Sequence, residues 1–333
     1  MIPCQASTKK LIIPAQLVIQ TRVGVCPMSL NGRSLETLSF PDLHRHSIPL
    51  ELQQTFRGIS TTSGRCNRGE SAAFMATTDT ITHLKKGLNG ELLEKVRTLW
   101  FQHLNGEESF ILPGQDELKR WFSKNVELDR ACVANFGHVL EIIHNINVTA
   151  SDILSAVQPS SSLDWLSLIL LFDQISRNCY RGLQSSVVFT YFDPLALDIS
   201  LRAREVGILE DPQVRYQFAY RTWILLPMMH SEQIEIHAIA VREFQRLSDD
   251  VEELLADPTE ISSIDPKKLK CRSVLAEKKE AAKALSAIHL EFEIRHQKVI
   301  ERFGRYPHRN KILGRLPTQE ETQYLEDGGE TFG

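Results

Sequence analysis

From Thr80 onward, apolar residues return every three or four positions, the period of an amphipathic helix. Leu285, His289, Phe292, His296, Val299 and Phe303 form one such stripe, and Ala240, Phe244, Leu247, Val251 and Leu254 form another. No run alternates apolar and polar residues between hairpin turns, so the pattern predicts an all-α chain. Thr318 and Glu321 make a capping box ahead of a short last helix. Gly207 and Pro227 punctuate the middle, and two Asp-Pro pairs, at Asp257 and Asp265, mark a polar, flexible linker near residues 256–272. The spacing accommodates roughly eight to ten helices in antiparallel pairs. No repeat at solenoid periods is visible, so the expected architecture is an α-superhelix or an irregular bundle in one domain, residues 76–333.

Two segments place charge where the pattern predicts burial. Leu163–Asn178 is apolar on almost every face, yet Asp173 and Arg177 share the stripe of Leu166 and Leu170. An ionised carboxylate there costs several kcal/mol unless paired, so Asp173 needs a cation, either Arg177 one turn on or an arginine from elsewhere. In RTWILLPMMHSEQ (Arg221–Gln233), His230 and Glu232 follow an apolar run ended by a proline. Two readings stand side by side. The pair caps two helix ends through the helix dipole, or it faces a ligand.

A third concentration lies at Arg295–Arg315, with seven Lys/Arg against Glu301 alone. Gly304 breaks the helix after Phe303, Pro307 bars helical backbone at Tyr306, and Gly314 opens another turn. The arginines here are rigid planar donors suited to carboxylate, phosphate or a polarised carbonyl, or to neutralising Asp173 and Glu232.

Residues 1–75 break the helical pattern. They hold eight Lys/Arg against four Asp/Glu, with many Ser, Thr, Gly and Pro. They read as a disordered tail, and FRGISTTSGR (Phe56–Arg65) has the composition of a transit peptide. The expected location is cytoplasmic, with the mitochondrial matrix as the alternative.

Composition narrows the classes. The 333 residues are 42% hydrophobic and 24% charged, with net charge −4, which argues against nucleic-acid binding. Six cysteines without a C-x-x-C pair read as free thiols of a reducing compartment. The longest apolar runs are about half the length that spans a bilayer, so no membrane span is expected. No dinucleotide fingerprint, Walker loop or nucleophile elbow occurs, and no H-x-x-x-H pair, so neither cofactor nor metal is expected.

WFSKNVELD (Trp121–Asp129), LILLFDQISRNCYRG (Leu168–Gly182), RTWILLPMMHSE (Arg221–Glu232) and RFGRYPHRNKILGRLPTQEE (Arg302–Glu321) stand in colinear order. In these four blocks the chain resembles the domain-of-unknown-function family 924, over about Thr80 to Phe332. The resemblance implies a TPR-like helical fold. Against that family's usual D-Q-F-P-R-N, this chain reads Asp173-Gln174-Ile175-Ser176-Arg177-Asn178, without the proline. The polar pair expected after H-S-E is shifted to Ile236 and His237, and Pro317-Thr318 stands for Ser-Thr. The missing polar groups beside His230 suggest a site remodelled toward a more apolar ligand.

Two functions fit. The first is a cofactor-independent enzyme acting on a hydrophobic, oxygenated small molecule in a metabolic pathway, fungal specialised metabolism being one candidate. Its chemistry would be isomerisation or cyclisation, with a Diels–Alder-type closure as the extreme case. Catalytic candidates are His230, Glu232, Asp173, Arg305 and His308; substrate-binding candidates are Arg177, Arg302, Arg309, Trp223 and Met229. The second is a helical scaffold that binds peptides or acidic protein partners through its arginines.

Overall fold

A computed structural model describes residue 82, residues 84–256 and residues 265–332. The tail, with its transit-peptide reading, and the first half of the expected linker lie outside these residues. Within them every regular element is helical, as the hydrophobic period requires. Lengths run from three residues at Ser185–Val187 to 25 at Lys279–Phe303, an irregular series of helices. No helix among the described residues is long and apolar enough to cross a membrane.

The main core forms where the all-apolar helix crosses its neighbours. Leu166, Leu168, Ile169, Leu170, Leu171, Phe172 and Ile175 are all fully buried. Helices Gly90–Phe101, Asp193–Glu205 and Phe218–Met229 pack around them. Each fully buried Leu, Ile or Phe contributes about 1.5–3 kcal/mol relative to an exposed one, so this helix anchors the fold. Helices Ile234–Ala256 and Lys279–Phe303 run antiparallel. Contacts join His237 to Glu293, Ser248 to Ser286 and Glu252 to Lys283, one number rising as the other falls.

Two expectations change. The last part of the stretch expected as a linker, residues 266–272, is helical, because Asp265 accepts a hydrogen bond from the Lys267 amide and starts the helix Pro266–Glu277. Asp-Pro is a helix start as well as a turn signal, since proline's missing N–H costs nothing in a first turn. Pro227 does not end its run either; it sits inside Phe218–Met229. The proline removes one backbone bond, but Trp223, Ile224, Leu225 and Met228 are almost wholly buried around it and hold the helix together.

The remaining punctuation is as the sequence predicts. Gly304 takes the left-handed conformation at φ 67° and ends the long helix. Tyr306 is extended before Pro307, and Thr318 and Glu321 form their reciprocal capping box. Cys132, Cys179 and Cys271 are free thiols, and burial pushes each up to about 12, far from a reactive thiolate.

Candidate acid–base site

Three π-helical turns, Val133–Gly137, Leu170–Ile175 and Val188–Phe192, gather around the short helix Ser176–Cys179. Such widened turns recur at functional sites because they re-aim a side chain within an otherwise regular helix. Asp173 lies in the second, and Asp193 directly follows the third.

Asp173 is fully buried and accepts from His230 Nδ1 at 2.7 Å and from Gln174 Nε2 at 2.6 Å. Arg177 holds Asp193 at 2.7 Å and stands 3.7 Å from Asp173, so one guanidinium bridges both carboxylates. Arg309 adds a second cation 3.5 Å from Asp193. Its guanidinium lies 4.5 Å from the Phe189 ring centroid and 4.6 Å from that of Tyr306. Two carboxylates face two guanidiniums, so the knot is neutral with a neutral imidazole, as burial demands.

Burial alone would raise the Asp173 carboxyl. Its contacts with His230, then Arg177 and Gln174, hold it below its ordinary value instead. An ionised Asp173 can only accept, which makes His230 Nδ1 the donor and leaves Nε2 as the basic nitrogen of the neutral ring. The His230 side chain is 16% exposed, and no group among the described residues hydrogen-bonds Nε2. A buried acid that orients a partly exposed imidazole is an arrangement that can serve as a general acid–base pair.

Asp173, Asp193 and His230 also bring ligand-type atoms within 4.8 Å of one another, although they are remote in sequence. They are the residues that could hold a metal ion. Arg177 stands where such an ion would balance both carboxylates, so metal binding would require displacing it.

The sequence candidates separate into three places. His230, Asp173, Arg177 and Arg309 converge in the knot. Glu232 stands beside it and receives both terminal nitrogens of Arg315, at 2.7 and 3.0 Å, and the Tyr306 amide at 2.9 Å. These partners overcome burial and hold its carboxyl below the ordinary range. Met229 contributes its backbone carbonyl to the Tyr306 hydroxyl at 2.6 Å. The ring centroid of His308 lies 5.5 Å from that of Tyr306, and burial pushes its imidazole down to about 3, far from a working proton donor.

Arg302, Arg305 and Trp223 lie elsewhere. Arg302 pairs with Glu320 at 2.8 Å and Arg305 with Glu321 at 2.6 Å, both on the helix Gln319–Glu326. Of the neutralisation expected from the arginines of this turn, Arg315 meets Glu232, whereas Asp173 is met by Arg177 and His230. The physical reason is proximity: the capping box brings Glu320 and Glu321 to the arginines' own turn. Trp223 lies about two helical turns before His230. Its ring meets Trp100 and Trp121 edge-on, beside a cleft of about 10 Å³, room for one water, next to Thr222 and His289.

Residues missed by sequence reasoning complete the site. Asp193 opens a helix before Pro194 and was not singled out in the sequence. Arg315 and Tyr306 stood in the basic turn without being named as site residues. His237 is wholly buried between Glu293 (2.7 Å) and the Ser231 carbonyl (2.9 Å), a satisfied core histidine that ties the two long helices together.

Fold and site together define an all-helical protein built on a buried acid–arginine–histidine knot. The chain matches the model of a family described as bacterial proteins of unknown function, DUF924, over residues 96–329, and it belongs to that family. It is also similar to a solved structure, the protein of unknown function ATU0120 from Agrobacterium tumefaciens. Identity is 24%, coverage is 72% of this chain and 98% of that one, and the TM-score is 0.43. No curated protein matches the chain.

Proposed function

We propose that the protein is a cofactor-independent enzyme that moves a proton on an oxygenated, largely hydrophobic small molecule, driving an isomerisation or cyclisation. The observation that carries this reading is the 2.7 Å bond from His230 Nδ1 to a fully buried, ionised Asp173, in a histidine whose side chain is 16% exposed. His230 Nε2 takes the proton. Asp173 fixes the tautomer and stabilises the imidazolium that forms, a role a buried carboxylate fills without itself being protonated. Arg177, 14% exposed and 3.7 Å from Asp173, would polarise a substrate oxygen. A Diels–Alder-type closure is the candidate that transfers no proton and would use Arg177 alone, as the donor that activates the dienophile. The scaffold alternative draws less support, because Arg295, Arg302, Arg305 and Arg315 are each engaged by a carboxylate of this chain.

The test is deuterium uptake. Purified protein is incubated with a metabolite extract in D2O, and compounds are followed by chromatography and mass spectrometry. The expected result is one or more compounds that gain deuterium or change retention with wild type and not with folded His230→Gln. Equal profiles for the two proteins would overturn the assignment.

A further inference from the structure

Next to the knot is a box of aromatic and imidazole rings that the acid–base scheme leaves unused. His296, on the long helix Lys279–Phe303, forms its floor, and Tyr306 and His308 form two walls. The ring of Phe332 fills it. It stacks on His296 with centroids 3.5 Å apart and planes 24° apart, and it meets Tyr306 and His308 edge-on at 5.7 and 6.1 Å. Both imidazoles are kept neutral. Burial holds His296 well below its ordinary value and pushes His308 down to about 3. Neutral, flat faces suit an uncharged ring, where protonated ones would select an anion.

Phe332 is only partly buried, and its segment follows a turn at Asp327–Gly328. Thr331 and the Phe332 backbone, which bonds His308, help to hold the segment. Its charged fastening is Glu330, which pairs with Arg295 at 2.5 Å and donates its amide to the Tyr324 hydroxyl at 2.7 Å. Both partners of that ion pair are 37% exposed, the kind of pair that contributes little in water. The box joins the knot through Tyr306, whose ring is covered by the Arg309 guanidinium at 4.6 Å and whose hydroxyl bonds the Met229 carbonyl next to His230.

We propose that this box is a subsite for an aromatic ring of the ligand, and that Phe332 occupies it as a built-in stand-in which the ligand displaces. The inference rests on the reading of Asp173 and His230 as the reacting pair and names the class of molecule they serve. The ligand carries a flat, uncharged ring for the box and an oxygen-bearing group for the guanidiniums beside it. Segment Gly328–Phe332 then competes with the ligand, and whatever loosens it raises affinity.

The probe is phenylacetate, a ring with one carboxylate. Its binding to wild type, Glu330→Gln and Phe332→Ala is measured by calorimetry, and hydrogen exchange is followed over residues 328–332. Exchange there is expected to accelerate when phenylacetate binds wild type. Affinity is expected to rise about fivefold in Glu330→Gln, which loosens the segment but keeps the ring, and about tenfold or more in Phe332→Ala. A gain confined to Phe332→Ala is what any emptied hydrophobic pocket shows, and it overturns the proposal. So does a segment that stays protected with ligand bound. If Phe332→Ala fails to fold, Glu330→Gln decides alone. The readout needs no turnover, and adding His230→Gln is expected to leave the affinity gains intact. Loss of the acid–base reading and loss of the subsite are thus distinguishable.

Discussion

The same turn of chain supplies arginines to two carboxylate clusters that differ in almost everything but chemistry. Arg309 meets Asp193 in the interior, where the two side chains are 5% and 8% exposed. Arg302 meets Glu320 at the surface, where they are 52% and 61% exposed. In water a guanidinium–carboxylate pair gains little, because both groups were already well solvated. In the interior each member depends on the other, because a lone buried charge has no water to fall back on. The interior cluster therefore ties function to folding, and the surface cluster fastens the last helix with little at stake.

The largest effect is expected where the interior knot is cut. Asp173→Ala leaves His230 without its orienting partner and Arg177 with half its counter-charge. The variant should lose about 3–5 kcal/mol in denaturant unfolding. A loss below 1 kcal/mol would mean that water already reaches the knot and that the contrast with the surface is false.

A middle-sized effect separates the two regions by pH. Burial pushes His289 down to about 4 and His308 to about 3 from 6.5, so both stay neutral when folded. The unfolded chain binds those protons first. Their contribution is complete above 6.5 and is lost as pH falls from 6.5 toward 4 and then 3. In the last helix, Arg305 holds Glu321 down to about 2, so that carboxylate's contribution is complete above 4.5 and lost only below it. Melting temperature should therefore begin to fall already between pH 6.5 and 4.5. In His289→Leu the fall over that window should shrink. An unchanged slope would assign it to other groups.

The smallest effect is expected for Arg302→Ala, within about 1 kcal/mol of wild type by the same unfolding measurement. A larger loss would show that its ring contacts with Phe303 and Tyr324, at 4.8 and 5.4 Å, matter more than its charge.

The contrast also explains what the sequence could reveal. Helices were legible because burial of a stripe leaves a period, and Asp173 was legible because a charge broke an apolar run. That reasoning correctly demanded a cation for Asp173 and found Arg177 one turn on. It could not assign the remaining arginines. Charge alone does not distinguish Arg309, which turns inward over Phe189 and Tyr306, from Arg302 and Arg305, which turn to the helix that follows. Asp193 was hidden for a different reason. As the first residue of a helix before proline it already had a sufficient local explanation, and the sequence carries no sign that Arg177 would reach it. The widening of the helix at Leu170–Ile175, which re-aims Asp173, leaves no mark in the hydrophobic pattern.

The central claim is that buried Asp173 fixes His230 as the Nδ1–H tautomer and presents Nε2 as a base. Nitrogen-15 NMR of the imidazole reads this directly. The account predicts a protonated Nδ1 and an unprotonated Nε2 in the neutral ring of wild type, and a shift toward mixed tautomers in Asp173→Asn. A proton on Nε2 in wild type, or a tautomer indifferent to the substitution, would contradict it.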